Sequence, residues 1–140
     1  MSDITKVKVY IKLIAIIFLL ATKVSRAIEA ADVLFDGAVL SVPYVKVGDT
    51  AYKIELAPSN SPLLSIADCP ILCLELVFAG PSSLDSPRNP ATFVGSVLKT
   101  PRVVIGDDLL AGEFRYLAKY PENYFFSVSG AETAPLFSGT

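Results

Sequence analysis

The sequence predicts a small all-β domain, an antiparallel sandwich or open barrel that is built from two copies of a three-strand meander. Three observations predict this fold class. A 15-residue stretch occurs twice with partial identity. Apolar and polar residues alternate within each copy and after it, and a Gly-Asp pair ends each copy. A chain of 140 residues has enough material for one hydrophobic core after a short leader is removed.

Residues 1–27 have the pattern of a secretory signal peptide and are expected to be helical. A start with three lysines precedes a nine-residue apolar run at residues 13–21, and Ser25 and Ala27 offer the small side chains of a cleavage site. A membrane span needs about 20 apolar residues, so this run is short for an anchor. We expect a secreted or periplasmic bacterial protein. An uncleaved anchor with snorkelling lysines is the alternative.

Removal of the leader changes the charge balance. Five of the 12 basic residues and one of the 14 acids lie in it, which leaves seven basic groups against 13 acidic groups, a net charge of −6. Nucleic acid is therefore a poor partner, and contact with a membrane would run only through an uncleaved leader. The chain has no histidine, which excludes Ser-His and Cys-His nucleophiles and histidine metal ligands. We predict no enzyme activity, no cofactor and no metal.

The internal repeat is the strongest pattern in the chain. Residues 35–49, FDGAVLSVPYVKVGD, align without gaps to residues 93–107, FVGSVLKTPRVVIGD, with eight of 15 positions identical. Such self-similarity indicates that one structural unit is used twice. The residues that follow the leader are accordingly divided into repeat one at 34–68, a connector at 69–92, repeat two at 93–130 and a tail at 131–140.

The first strand of each unit carries a proline at which the apolar parity flips. Residues 40 and 42 share one face before Pro43, and residues 45 and 47 share one face after it; the second copy does the same around Pro101. A β-bulge tolerates proline and inserts the extra residue that a parity flip requires. We therefore predict a kink at each of these two prolines.

Hairpin turns follow at Gly48-Asp49 and Gly106-Asp107, which are residue types that accept unusual dihedral angles. The return strand of the first unit then alternates, with Ile54 among its inward positions. Gly112 takes the corresponding place in the second unit and leaves a gap on that face. A third strand is expected after each hairpin. The six predicted strands lie near residues 38–47, 51–57, 63–68, 96–105, 109–117 and 124–129.

Cys69 and Cys73 are the only cysteines, and in an exported protein they suggest one disulfide. In a straight strand their Cα atoms would lie about 13 Å apart, whereas a disulfide needs roughly 4.4–6.8 Å. The bridge therefore requires residues 69–73 to turn. Residues 70–79 fit a strand better than a helix capped by Asp68, so the sequence leaves open whether the two thiols are bridged.

Two other motifs carry weaker associations with chemistry. The S-x-x-K pattern at Ser96–Lys99 would put its serine and lysine on opposite faces of a strand, so it does not predict a nucleophile. The acidic turns at Asp49, Asp107 and Asp108 are interpreted as solvated hairpin turns, because a Ca²⁺ site needs six to eight oxygen ligands.

Aromatic residues are concentrated in the second unit. Core packing accounts for most of them by parity, and the alternative is an exposed platform for a glycan or a partner protein. On that alternative, the candidate ligand-binding residues are Tyr116, Tyr120 and Tyr124.

The motif L-x-V-P-x-V-x-V-G-D, followed by a strand that begins with Tyr or Leu, resembles a loose group of bacterial exported proteins of unknown function. These carry a repeated L-x-[IV]-P-x-V-x-V-G…Y hairpin behind a signal peptide. The resemblance covers residues 35–56 and 93–114, implies a similar architecture and transfers no active site; the second copy departs from it at Leu110. We expect a non-enzymatic binding module of the cell envelope or extracellular space. A self-assembling surface protein, a homo-oligomer joined through exposed strand edges, is the alternative.

Overall fold

Seven β-strands close into a barrel, and an eighth short strand lies beside it. The computed structural model describes residues 28–129, so the predicted leader and tail lie outside the described residues. The strands are β1 Val33–Phe35, β2 Leu40–Val47, β3 Thr50–Pro58, β4 Cys73–Pro81, β5 Thr92–Val94, β6 Val97–Ile105, β7 Asp108–Tyr116 and β8 Phe125–Val128. No helix suited by length and hydropathy to crossing a membrane occurs between residues 28 and 129.

The strand order around the barrel is β1-β2-β3-β4-β8-β7-β6, and β6 returns to β1. The prediction of an all-β fold is confirmed. The expectation of an antiparallel sandwich or open barrel is corrected to a closed, mixed barrel, because β1 pairs with β6 in parallel and closes it. Periodicity could not reveal this closure, since β1 has only three residues and alternation needs a longer run to be recognised.

The proline kinks are confirmed as bulges. The β2–β3 register shifts between Val42 and Val45, which encloses Pro43. The β6–β7 register shifts between Thr100 and Val103, which encloses Pro101. In each case the proline strand has one more residue than its partner over the same interval, and this extra residue explains the parity flip.

The predicted third strand at residues 63–68 is wrong. Those residues form turns, and the side chains of Leu63 and Ile66 are exposed. The third strand of the first half is β4, which pairs with β3 along its length and lies within the segment predicted as a connector. The expectation of a strand over residues 70–79 is confirmed from Cys73 onward. The apolar run at 63–67 resembled a strand, but nothing on the barrel pairs with it.

Two short segments fill the space between β2 and β6. Strand β1 pairs with the first part of β2 and with the last part of β6, where Val33 lies opposite Val103. Strand β5 pairs with the first part of β6, and the residue before it, Ala91, bridges to Val45 of β2. These two parallel contacts are equivalent in the repeat, because Ala91 follows Val33 by 58 residues and Val103 follows Val45 by the same 58 residues.

The barrel interior contains the apolar residues of the alternating strands. The largest fully buried side chains of this interior include Leu40, Leu56, Leu74, Leu98 and Phe114. At Gly112, where the sequence predicts a gap, the opposite residue is Thr100. The Thr100 hydroxyl is buried and donates a 2.9 Å hydrogen bond to the Gly112 carbonyl. The interior therefore accepts the Thr100 side chain because its hydroxyl has a partner.

The two Gly-Asp turns provide a test of turn geometry. Gly48 and Gly106 have φ angles of +64° and +62°, and an added Cβ would meet no atom within 4 Å at either position. We predict that Gly48→Ala and Gly106→Ala each lower the free energy of unfolding by about 1 kcal/mol, from backbone strain alone. Gly→Asn at the same positions is the matched control and should cost less, since Asn tolerates this conformation. Urea denaturation measures both, and alanine variants as stable as wild type would contradict the turn assignment.

Candidate functional site

A second apolar layer lies on the outer face of β4 and β8. Successive residues of a strand face opposite sides, so Phe126 points into the barrel and Phe125 points out of it. Phe125 is nevertheless fully buried, although it is not part of the barrel interior. Two loops surround this site, the β3–β4 loop at residues 59–72 and the β7–β8 loop at residues 117–124. The Tyr120 ring contacts the Phe125 ring edge-on, with centroids 5.6 Å apart.

Asp68 joins these two loops. Its Oδ2 accepts hydrogen bonds from the Ser65 backbone N–H at 3.0 Å and from the Tyr120 hydroxyl at 2.8 Å. The Lys119 ammonium lies 3.6 Å from Oδ1, and it also stands 5.4 Å from the centre of the Tyr120 ring. We call Ser65, Asp68, Lys119 and Tyr120 the loop latch. It fixes the β7–β8 loop against the β3–β4 loop.

The latch stabilises the ionised form of Asp68. The Ser65 backbone N–H and then the Tyr120 hydroxyl lower the pKa of Asp68, with a smaller contribution from the Lys119 charge. A carboxyl group with a lowered folded-state pKa stabilises the fold above its unfolded pKa, and that stabilisation is lost as the pH falls through the folded pKa. The latch should therefore hold at neutral pH and weaken in acid.

The disulfide closes the base of the same loop. Cys69 and Cys73 are bonded, with Cα atoms 5.3 Å apart. The Cα separation of about 13 Å that a straight strand would impose does not apply. Strand β4 begins only at Cys73, and the residues before it bend. Of the two alternatives that the sequence leaves open, free or bridged thiols, the structure has the bridged one. Nearby, the Ser59 N–H donates to the Cys73 carbonyl at 2.9 Å, and the Ser59 hydroxyl donates to Glu75 at 2.8 Å.

Four aromatic rings form a continuous row from the barrel interior to the surface. We call Phe93, Phe126, Tyr116 and Tyr124 the aromatic row. Ring centroids are 6.4 Å apart for Phe93 and Phe126, 5.6 Å for Phe126 and Tyr116, and 6.4 Å for Tyr116 and Tyr124. Phe126 is buried, whereas Tyr124 is 50% exposed. The row presents one tyrosine ring to solvent on a rigid aromatic support.

Tyr124 also has an unusual backbone. Its φ angle is +53°, a region that few residues other than glycine occupy. The Tyr124 carbonyl accepts a 3.1 Å hydrogen bond from the Leu76 N–H, which ties the end of the loop to β4. Such conformations cost about 1–3 kcal/mol and persist where the surrounding structure holds them, often at binding sites. Here the strained backbone holds the exposed ring against Tyr116.

The structure separates the three tyrosines that the sequence grouped as ligand-binding candidates. It brings Tyr116 and Tyr124 together in the aromatic row and places Tyr120 in the loop latch. Phe93 was missed, because it precedes the tyrosines by more than twenty positions and lies in a strand too short to predict. The sequence indicates Asp68 only as a potential helix cap, and nothing in it indicates the contact with Tyr120.

One of the predicted acidic turn residues is not at a solvated turn. Asp49 and Asp107 are exposed, as expected, but Asp108 is buried with 3% of its surface exposed. The turn consists of Gly106 and Asp107 alone, so Asp108 begins β7 and shares the inward parity of Phe114. Among the described residues, no three or more His, Cys, Asp or Glu side chains are grouped so as to hold a metal ion.

The corresponding strand pair of the other half has different residues. Where Tyr116 lies opposite Phe126 in the β7–β8 pair, Pro58 lies opposite Leu74 in the β3–β4 pair. No family model, no curated protein and no solved structure matches this chain. The geometry of the barrel and its loops is therefore the basis for any functional argument.

The loop latch gives a prediction about acid stability. We expect Asp68→Asn to lower the melting temperature near pH 7, because the carboxylate that accepts from Ser65 and Tyr120 is lost. The difference from wild type should narrow as the pH falls below about 4, where the wild-type carboxyl group becomes protonated. Melting curves at several pH values measure this difference. Asp85→Asn, at an exposed position before β5, is the control, and a difference that is constant with pH would contradict the role of Asp68.

Proposed function

We propose that this chain is an exported, non-enzymatic binding module, built from two copies of one unit, that contacts its partner through the aromatic row. The single observation that supports it most is the state of Tyr124, which is half exposed, held at a positive φ angle and placed with its ring centroid 6.4 Å from that of Tyr116 in a tilted arrangement. A glycan and a partner protein are the ligand classes that such a surface suits.

The physical chemistry of the aromatic row suits binding. Tyrosine offers a large apolar ring and one hydroxyl at a low entropic cost, so exposed tyrosines often dominate binding energies. In the aromatic row the supporting rings are packed against the barrel interior, so little further ordering is needed when a partner binds. The difference between the halves also favours this surface, since function is expected where the two units differ.

Export is supported by two features of the chain. Residues 1–27 have the pattern of a leader, and the Cys69–Cys73 disulfide is typical of an oxidising compartment. We propose cleavage after Ala27. The folded domain would then begin just before β1, whose pairing with β6 closes the barrel.

The self-assembling alternative has one observation in its favour. Strand β8 pairs with β4 only through Cys73–Glu75, and the exposed side chains of Val77 and Phe78 follow on β4 beyond that contact. Two features of β4 oppose pairing between copies there. Its register with β3 shifts at this point, and it ends at Pro81, which cannot donate a hydrogen bond. We therefore favour the binding module.

A binding test can use the tyrosines as their own reporters, because the chain contains no tryptophan. Wild-type protein would first be screened against arrays of defined neutral oligosaccharides and of peptides. We predict that Tyr124→Ala and Tyr116→Ala weaken the selected ligand by tenfold or more, of the order of losing one aromatic anchor. Phe78→Ala removes an exposed aromatic side chain of β4 that lies outside the aromatic row, so it is the matched control and should bind as wild type does. A ligand that binds Tyr124→Ala as tightly as wild type would contradict the proposed site.

Export has its own test. Expression of the full chain in a bacterial host, followed by intact mass measurement of the envelope fraction, should give a protein that begins at Ile28. Its mass should also lack the two hydrogens that a Cys69–Cys73 disulfide removes, and reduction should restore them. Retention of residues 1–27 in the membrane fraction would contradict cleavage and favour an anchor.

A further inference from the structure

A buried ion pair lies in one of the two parallel contacts that join the halves of the barrel. Arg102 of β6 donates from Nε to Asp32 Oδ1 at 2.5 Å and from Nη2 to Asp32 Oδ2 at 3.2 Å. Asp32 is 2% exposed, and the Arg102 side chain is 11% exposed. Glu29 stands 3.4 Å from Arg102 Nε, and its own side chain accepts a hydrogen bond from Asn89. The two-point geometry fixes the relative position of the segment before β1 and the β6 bulge.

The corresponding place in the other parallel contact holds no charge. The offset of 58 residues that relates the 33–103 contact to the 91–45 contact also relates Asp32 to Pro90 and Arg102 to Tyr44. Tyr44 is buried, with 8% of its surface exposed. One contact between the halves is therefore ionic, and its counterpart is apolar.

This asymmetry matters because the hairpin of each half and the short strand beside it pair in the same register, 58 residues apart. We call residues 28–81 the first half and residues 91–129 the second half. Each half sends a short segment, β1 or Ala91–Val94, into the other half, so the same geometry could join two first halves or two second halves from different chains. A pair of first halves would then bury Asp32 against the partner's Tyr44. A pair of second halves would bury Arg102 against the partner's Pro90. A buried charge that has lost its counter-charge is strongly unfavourable.

We propose that the Asp32–Arg102 ion pair makes the first half accept a second half and reject another first half. A buried ion pair adds little net stability compared with a well-packed apolar contact, but it can select one arrangement over similar ones. The segment between the halves spans nine residues, from 82 to 90, and contains Pro87 and Pro90. Nothing in that connection alone prevents exchange of halves between chains.

The test uses full-length chains with reversed charges. Chain one carries Asp32→Arg and has arginine on both sides of its own contact, and chain two carries Arg102→Asp and has aspartate on both sides. The two variant chains are unfolded together in urea and then refolded. If they exchange halves in a 1:1 heterodimer, each contact again holds one arginine and one aspartate. We expect size-exclusion chromatography with light scattering to show a species of twice the chain mass in the mixture. Neither variant should form this dimeric species when it is refolded alone.

The double variant Asp32→Arg/Arg102→Asp in one chain is the control. It should refold as a monomer with a melting temperature above that of either single variant, because the reversed pair is restored within the chain. Its melting temperature should stay below wild type, since a carboxylate at position 102 faces Glu29 and an arginine at position 32 cannot accept the Glu29 N–H. A mixture without heterodimer, or a double variant as unstable as the single variants, overturns the inference. These outcomes do not bear on the aromatic row, so the binding proposal stands or falls separately.

Discussion

The reciprocal insertion of two short segments between β2 and β6 is the constraint on which the rest of the structure depends. Without the parallel contacts of Val33 with Val103 and of Ala91 with Val45, strand pairing would join the two hairpin units only through β4 and β8. That antiparallel contact spans three residue pairs. The insertion closes the sheet and so satisfies edges that an open sheet would expose. Backbone pairing that is distant in sequence thus holds the two local hairpins in one barrel.

The two halves share their bulged hairpins but differ in side chains that join their loops and strands. The bulges at Pro43 and Pro101 shape both halves in the same way. The differences fall at three places, which are the ion pair with Arg102, the loop latch around Asp68 and the aromatic row that ends at Tyr124. The latch fixes the loop that carries Tyr124, and the disulfide fixes the loop that carries Asp68. A rigid scaffold with one aromatic surface follows from these three departures from symmetry.

The sequence predicts the local features of the fold and misses the distant ones. The two hairpins, their proline bulges and the inward parity of β3 and β7 follow from alternation and turn chemistry within short windows. The pairing of β1 with β6 could not be predicted, because three residues carry no period. The run at 63–67 was mistaken for a strand because a short apolar run is ambiguous. At the candidate site, composition indicated the tyrosines, but only the registers separate Tyr120 from Tyr124 and bring Phe93 to the row.

If the inserted segments hold the barrel together, they and the hairpins form one cooperative unit. Amide hydrogen exchange, measured residue by residue under native conditions, tests this cooperativity, because protected amides report the free energy of the opening that releases them. We expect the hydrogen-bonded amides of β1 and β5 to exchange only with the same global opening as those of the β2–β3 and β6–β7 hairpins. Exchange of β1 and β5 amides through a much smaller local opening, while the hairpins stay protected, would contradict it.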